Sequence, residues 1–275
     1  MSAPPKRPLR ACLAGVGLLG PGLSGWPAAA ALLRGEQRYL PARTEMPAAQ
    51  WLPPAERRRA TAAVKLALAT GGAALAMAGR DATDLRTVFA ASSGDGVNCH
   101  ALCEALAAPD RLVSPTRFHN SVHNAASGYW GIATHCMAAS AVLCAAHDGS
   151  FGAGLLEALV EVGTSGEDVL LLAYDTEYPE PLRSVRPIPD AFGVALLLAP
   201  RRRGAALACM AVDAAAPFTG APPRTLEQPG LEALRRSIPA ARSLSLLQAV
   251  ARGEPATSVV DYLPGRQLLV ELSPC

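Results

Sequence analysis

The chain has 275 residues, half of them apolar but only 5% aromatic, and a net charge of +2. That length suits one sizeable core or two small ones. The basic runs are short, Arg57-Arg58-Arg59 and Arg201-Arg202-Arg203, so no nucleic-acid-binding patch is indicated. No apolar stretch is long enough for a membrane helix.

The seven cysteines are odd in number and irregularly spaced. Reduced thiols in the cytoplasm are expected, not a disulfide framework.

Residues 1–8 are Pro-rich and read as a disordered N-terminus. Lys6, Arg7 and Arg10 precede the apolar run Ala11 to Leu19, which has a signal-peptide outline. Gly15 and Gly17 inside that run favour a first strand, Leu9 to Val16, followed by a Gly-rich turn. Trp26 to Arg34 reads as a helix closed by Gly35. Glu36 to Pro54 holds four prolines and reads as irregular.

Glu56 to Ala78 gives the clearest helical signal. Ala62, Leu66, Ala69 and Ala73 recur at helical spacing, Gly79 is placed to cap it, and Gly71-Gly72 weakens its middle. Leu85 to Ala91 reads as a strand entering Ser92-Ser93-Gly94-Asp95-Gly96, and Asn98 to Ala107 as a helix. Pro115 to Gly128, rich in Asn, Ser and His, reads as a loop. Ala138 to Ser150 then supplies a strand and a tight turn, Phe151 to Val162 a helix, and Asp168 to Ala173 a buried strand.

Gly193 to Leu198 and Ala205 to Val212 read as strands. Pro217 to Pro229 is a loop, and Leu231 to Arg252 is helical with an interruption at Pro239. Ser258 to Tyr262 and Gln267 to Leu272 form a strand pair around Pro264-Gly265. Strands alternating with helices imply an α/β fold, with helices covering a mixed, mostly parallel sheet. One domain over 9–275 is expected, with a looser, shortened part after about residue 213.

Several short segments follow the order of one family. Ser121-Val122-His123-Asn124-Ala125-Ala126-Ser127-Gly128 resembles the Asn-Ala-Ala-Ser-Gly signature in the first half of β-ketoacyl synthases. Ala14-Gly15-Val16-Gly17, Leu32-Leu33-Arg34-Gly35, Val88 to Gly96 and Gly193-Val194-Ala195 fall in that family's order. The resemblance spans most of residues 9–200 and implies a thiolase-like half fold.

The family carries its acyl chain on a cysteine at the start of a helix. Aligning back from Asp168-Val169 and Glu157-Ala158, without a gap, places that position on Asp148. The plainer reading of Asp148 is a helix cap, with Ser150 competing for that role. Cys144 is the alternative nucleophile, with His147 as its base, and reaching the elbow from Cys144 requires an insertion before the helix. An Asp is a poor acyl carrier, because its acyl product is a reactive mixed anhydride, whereas a thiolate is a strong nucleophile and a good leaving group.

The family's decarboxylating histidines lie in its second half. Here the histidines are His100, His119, His123, His135 and His147, all before residue 148. The resemblance therefore implies a chain-length-factor-like subunit of the kind found in aryl-polyene (type II) clusters. Its partners would be a full-length ketosynthase and an acyl carrier protein.

In that reading Phe118, His123 and Asn124 lie at the subunit interface. His100, Cys103 and Ala107 border the product tunnel; ordinary helix packing is the alternative for each. His119 with His123, and Cys99-His100 with Cys103, are weak metal signals, so neither a metal nor another cofactor is expected.

Overall fold

The computed structural model describes residues 8–200, 206–213 and 219–275. The expected disordered N-terminus therefore lies, apart from residue 8, outside the described residues.

Strand β1 (Leu9–Gly20) runs beyond its expected end and folds back on β2 (Leu23–Ser24). Helix α1 (Trp26–Arg34) carries a proline in its first turn and stops at Gly35 in the left-handed conformation, as the sequence indicates. The expected helix Glu56 to Ala78 is two helices, α2 (Pro54–Arg59) and α3 (Ala62–Ala78), because Ala60 is extended between them. Gly71 proves to be a packing device in α3: a Cβ there would lie 2.4 Å from the Trp130 ring.

Strand β3 (Arg86–Ala91) leads to α4 (Gly96–Ala107), whose first turn is capped by the Asp95 side chain accepting from the Asn98 N–H. The expected loop from Pro115 to Gly128 is instead α5 (Pro115–His119) and the start of α6 (Ala125–Thr134). Ser114 caps α5, and Ala126, Tyr129 and Trp130 give α6 a buried face. Strand β4 (Ser140–Cys144) is followed by a 3₁₀ turn, His147–Gly149, and by α7 (Ser150–Ser165).

Strands β5 (Val169–Asp175) and β6 (Phe192–Ala199) are buried at every position, so their apolar runs show no alternation. Between them lies the short α8 (Leu182–Val185). Strand β7 (Ala208–Val212) precedes α9 (Pro229–Ser237). The break at Pro239 is a 3₁₀ turn, after which α10 (Leu244–Arg252) resumes. Strands β8 (Ala256–Asp261) and β9 (Gln267–Ser273) close the chain as a hairpin.

These strands form one mixed sheet in the order β4-β3-β5-β6-β1-β7-β9-β8, with β2 on β1. Only β3 with β4 and β3 with β5 pair in parallel, so the balance is antiparallel, not mostly parallel as expected. The link from β5 to β6 holds no helix long enough for a parallel crossover, and β8 returns directly into β9.

Helices cover both faces. One core packs α1, α7, α9 and α10 on the sheet, and the other packs α3 and α6. Phe151, Leu155, Leu159 and Val162 form the buried face of α7. Each contributes about 1.5–3 kcal/mol by leaving water.

The cysteines depart from expectation. Cys12 and Cys209 are directly opposite in the β1–β7 register and form a disulfide across a sequence separation of 197. No helix among the described residues is long and apolar enough to cross a membrane.

Candidate functional site

In a parallel sheet the strands end at the same edge, and their outgoing loops converge there. β3, β4 and β5 form the parallel part of this sheet. Their outgoing segments bring together Ser92 after β3, the Cys144–Gly149 elbow after β4, and Asp175 with Tyr178 at the end of β5.

The elbow is a sharp reversal. Ala146 (φ 62) and His147 (φ 39) both take left-handed backbone conformations. Such positions cost on the order of 1–3 kcal/mol each and persist when surrounding structure holds them. Here the last strand pair holds them. A Cβ on Gly149 would sit 1.6 Å from the Tyr262 carbonyl oxygen, and one on Gly152 would sit 2.1 Å from that of Asp261. Only glycine allows this approach.

Asp148 lies in the 3₁₀ turn just before α7, where a carboxylate suits the positive end of the helix dipole. Its Oδ2 is 2.9 Å from an Arg242 guanidinium nitrogen. Arg242 also reaches Asp261 at 3.2 Å and donates to the Arg236 carbonyl at 3.3 Å. The carboxylate at the elbow is thus tied to the 3₁₀ turn before α10 and to the end of β8.

His147 turns Nδ1 toward Asp148 Oδ1, at 3.3 Å, and its Nε2 is buried without a hydrogen-bond partner among the described residues. Burial holds its pKa below the ordinary imidazole value. The Asp148 charge opposes this, and Arg186 and Arg242 reinforce it.

Cys144 ends β4 opposite Ala91. Its thiol is partly buried, and burial raises its pKa, with Asp175 and Cys99 acting in the same direction. Burial thus disfavours its thiolate, the nucleophilic form. No hydrogen bond joins Cys144 to His147 among the described residues; the imidazole instead turns Nδ1 to Asp148.

Asp175 was not singled out from the sequence. It is 2% exposed and accepts from the Ser92 N–H at 2.9 Å, from Ser92 Oγ at 2.5 Å and from the Ala240 N–H at 2.7 Å. Ser92 Oγ also meets the Tyr178 hydroxyl at 2.6 Å. Burial pushes the Asp175 carboxyl up to about 6, against the pull of its hydrogen bonds. The available signal was a lone Asp closing a wholly apolar strand.

Of the other sequence candidates His123 comes near this cluster: a Cβ on Gly94 would lie 3.6 Å from Cys144 Sγ and 4.0 Å from the His123 Cα. His100, Cys103 and Ala107 lie along α4, where only Asn98 is buried. His100 Nε2 pairs with Glu104 at 3.2 Å, and Cys103 is exposed. Phe118 on α5 is 67% exposed. His123 and Asn124 are exposed in the link between α5 and α6, and Asn124 occupies the N-cap position of α6 without a side-chain bond.

His119 packs edge-on against Tyr129, with ring centroids 6.1 Å apart. Val97, Leu106, Leu112, Val122, Ile132 and Met137 are also strongly exposed. Phe118, Val122 and Ile132 line one open pocket with His119 and Tyr129, an exposed apolar patch of the kind that suits a partner.

The model of the β-ketoacyl synthase N-terminal domain matches residues 32–246. The chain belongs to that family. No curated protein matches it.

Among solved structures it is similar to the complex of ketosynthase ApeO with its chain length factor ApeC from Xenorhabdus doucetiae. The identity is 24% and the TM-score 0.69, covering 96% of this chain and 99% of that one. It is also similar to the ishigamide ketosynthase/chain length factor, at 16% identity and TM-score 0.70, covering 97% and 99%. A third match is AntDE:AntF, a type II acyl-carrier protein in complex with its ketosynthase, at 11% identity and TM-score 0.73, covering 98% and 100%. At these identities the likeness establishes the thiolase-like ketosynthase fold.

Proposed function

We propose that this chain is a non-catalytic, chain-length-factor-like subunit. It pairs with a full-length ketosynthase, meets acyl chains delivered on an acyl carrier protein, and limits their growth sterically. The setting is fatty-acid or polyketide-type synthesis in the cytoplasm, with aryl polyenes as the product class, and no cofactor is used. The observation that carries this reading is the engagement by Arg242, at 2.9 Å, of Asp148, the residue that the ungapped alignment puts at the family's nucleophile position.

Three further observations support it. Burial raises the Cys144 pKa, which disfavours the thiolate a condensing enzyme needs. Among these 275 residues none after His147 is a histidine, so they offer no candidate for the family's decarboxylating pair. The apolar patch of Phe118, Val122 and Ile132 is uncovered in the single chain and suits an obligate partner.

In this reading Phe118, His123 and Asn124 meet the partner, and His100, Cys103 and Ala107 face the growing chain. A bulkier side chain at the tunnel floor stops elongation earlier, because forcing extra methylenes into a filled space costs about 1–3 kcal/mol.

The test is to tag this chain alone, co-express it with the ketosynthase encoded beside its gene, size the eluted material and assay condensation. A one-to-one complex is expected, with condensation kept largely intact in Asp148→Ala and Cys144→Ala. Loss of condensation in Cys144→Ala with normal pairing, or an acyl adduct on Cys144 by intact mass, would replace this reading. The chain would then be an acyltransferase using Cys144 and His147.

A further inference from the structure

A second chemical cluster lies on the other side of β1, away from the elbow. β1 presents Cys12, and its partner β7 presents Cys209 directly opposite. β9 pairs with β7 through Ser273 opposite Cys209, and Cys275 follows just beyond that strand. The Cys275 sulfur lies 3.2 Å from that of Cys209. All three sulfurs fall within 4.8 Å of one another. Cys12 and Cys209 line an open pocket of ≈ 430 Å³, together with Arg10 and Glu271.

A disulfide accounts for two of these sulfurs and leaves the third unexplained. We propose that the reduced cluster is a thiophilic metal site, in which Cys12, Cys209 and Cys275 hold one Cu(I) ion as three thiolates. This does not depend on the chain-length-factor reading.

The donor set selects the ion. It is three sulfurs with no imidazole or carboxylate in the group. Thiolates favour soft cations such as Cu(I) over Mg²⁺, Ca²⁺ or Mn²⁺. Metal–sulfur bonds near ~2.3 Å place the corners of a trigonal site roughly 4 Å apart, so the Cys12 and Cys209 sulfurs must separate on reduction and the 3.2 Å gap from Cys209 to Cys275 must widen slightly. The pocket gives the ion a route in, with Arg10 and Glu271 both on its wall.

The chemistry balances without an oxidant. A thiol or phosphine reductant first converts the Cys12–Cys209 bond to two thiols, and the reductant is itself oxidised. Cu(I) then replaces the three thiol protons, which pass to solvent, forming three Cu–S bonds. Binding therefore weakens as pH falls.

The experiment uses the full chain, reduced with a phosphine under anaerobic conditions and freed of it, then titrated with Cu(I) against a chromophoric Cu(I) chelator. One equivalent per chain is expected to resist the chelator, with a near-ultraviolet thiolate-to-copper absorption. Cys209→Ser and Cys275→Ser should each lose it. Cys275 lies beyond the end of β9, so its replacement leaves the sheet pairing untouched and guards against a folding artefact. Equal retention by the wild type and Cys275→Ser would assign the copper to other cysteines and overturn the proposal. So would absence of a retained equivalent, or a Cys12–Cys209 bond that resists reduction.

Discussion

If Asp148 is an anchor and not a reacting group, removing it and removing its partner must have unequal effects. Asp148 is 55% exposed and Arg242 only 16%. In Asp148→Asn, Arg242 keeps Asp261 at 3.2 Å and the Arg236 carbonyl at 3.3 Å. The loss is that of a solvated ion pair, about 0–1 kcal/mol.

Arg242→Met instead leaves two carboxylates facing one another beside the strained elbow, with the Arg236 carbonyl losing its donor. Breaking a well-buried pair costs about 3–5 kcal/mol. Solvent around Asp148 reduces this to about 1–3 kcal/mol. For a chain of this size 1 kcal/mol moves the melting temperature by about 2–4 °C. Thermal melts should then show Asp148→Asn within about 4 °C of wild type and Arg242→Met lower by roughly 2–12 °C. Condensation by the assembled pair should survive Asp148→Asn. A folded, paired Asp148→Asn chain that abolishes condensation would refute the anchoring argument, as would equal destabilisation by the two variants.

Gly149→Ala brings a methyl to 1.6 Å from the Tyr262 oxygen. Overpacking and backbone shift of about 1–3 kcal/mol should lower its melting temperature, whereas an unchanged melt would mean that β8 does not press on the elbow. The Asp175 pKa, about 6, is raised above the ordinary carboxylate value. Its contribution to stability is therefore fully present below that ordinary value and is lost as pH rises through about 6. The depressed His147 pKa acts in the opposite sense, removing stability as pH falls through the ordinary imidazole range. Urea melts between about pH 5 and 7.5 should accordingly show wild type gaining on Asp175→Asn as pH falls, and losing ground to His147→Gln. Phe118→Asp should weaken ketosynthase pairing at least tenfold in a pull-down titration with the fold intact by circular dichroism. Cys103→Trp should shorten the product of the pair while pairing holds, and unchanged product length would remove α4 from the tunnel.

Much of this architecture could be read directly from the residues. Trp26 and Gly35 bracket α1 because proline near the start and glycine after the end are local signals. The strand–turn–helix–strand from β4 to β5 was legible because its apolar runs have lengths suited to each element. Helices α5 and α6 were missed because Asn, Ser, Gly and His dominate that stretch, and helix stability there comes from burial of Tyr129 and Trp130 against α3. The Cys12–Cys209 pair and the Arg242 bridge depend on strand register and on an elbow meeting a distant turn, which no local spacing encodes. The position of Asp148 at the elbow was visible, but what holds it was not.

The contact between Gly149 and Tyr262 also bears on how the chain is made. A ribosome releases β3, β4 and α7 long before β8, so the elbow emerges without the carbonyls that confine it. β9, made after β8, must pair on β7 and on β8 to seat that hairpin. Until then the left-handed residues at Ala146 and His147 have nothing opposite them to offset their cost. Completion of the elbow is therefore a late, long-range step in vectorial synthesis. A nascent chain arrested before residue 256 should carry a native-like β1–β6 sheet with a protease-sensitive site near residue 147.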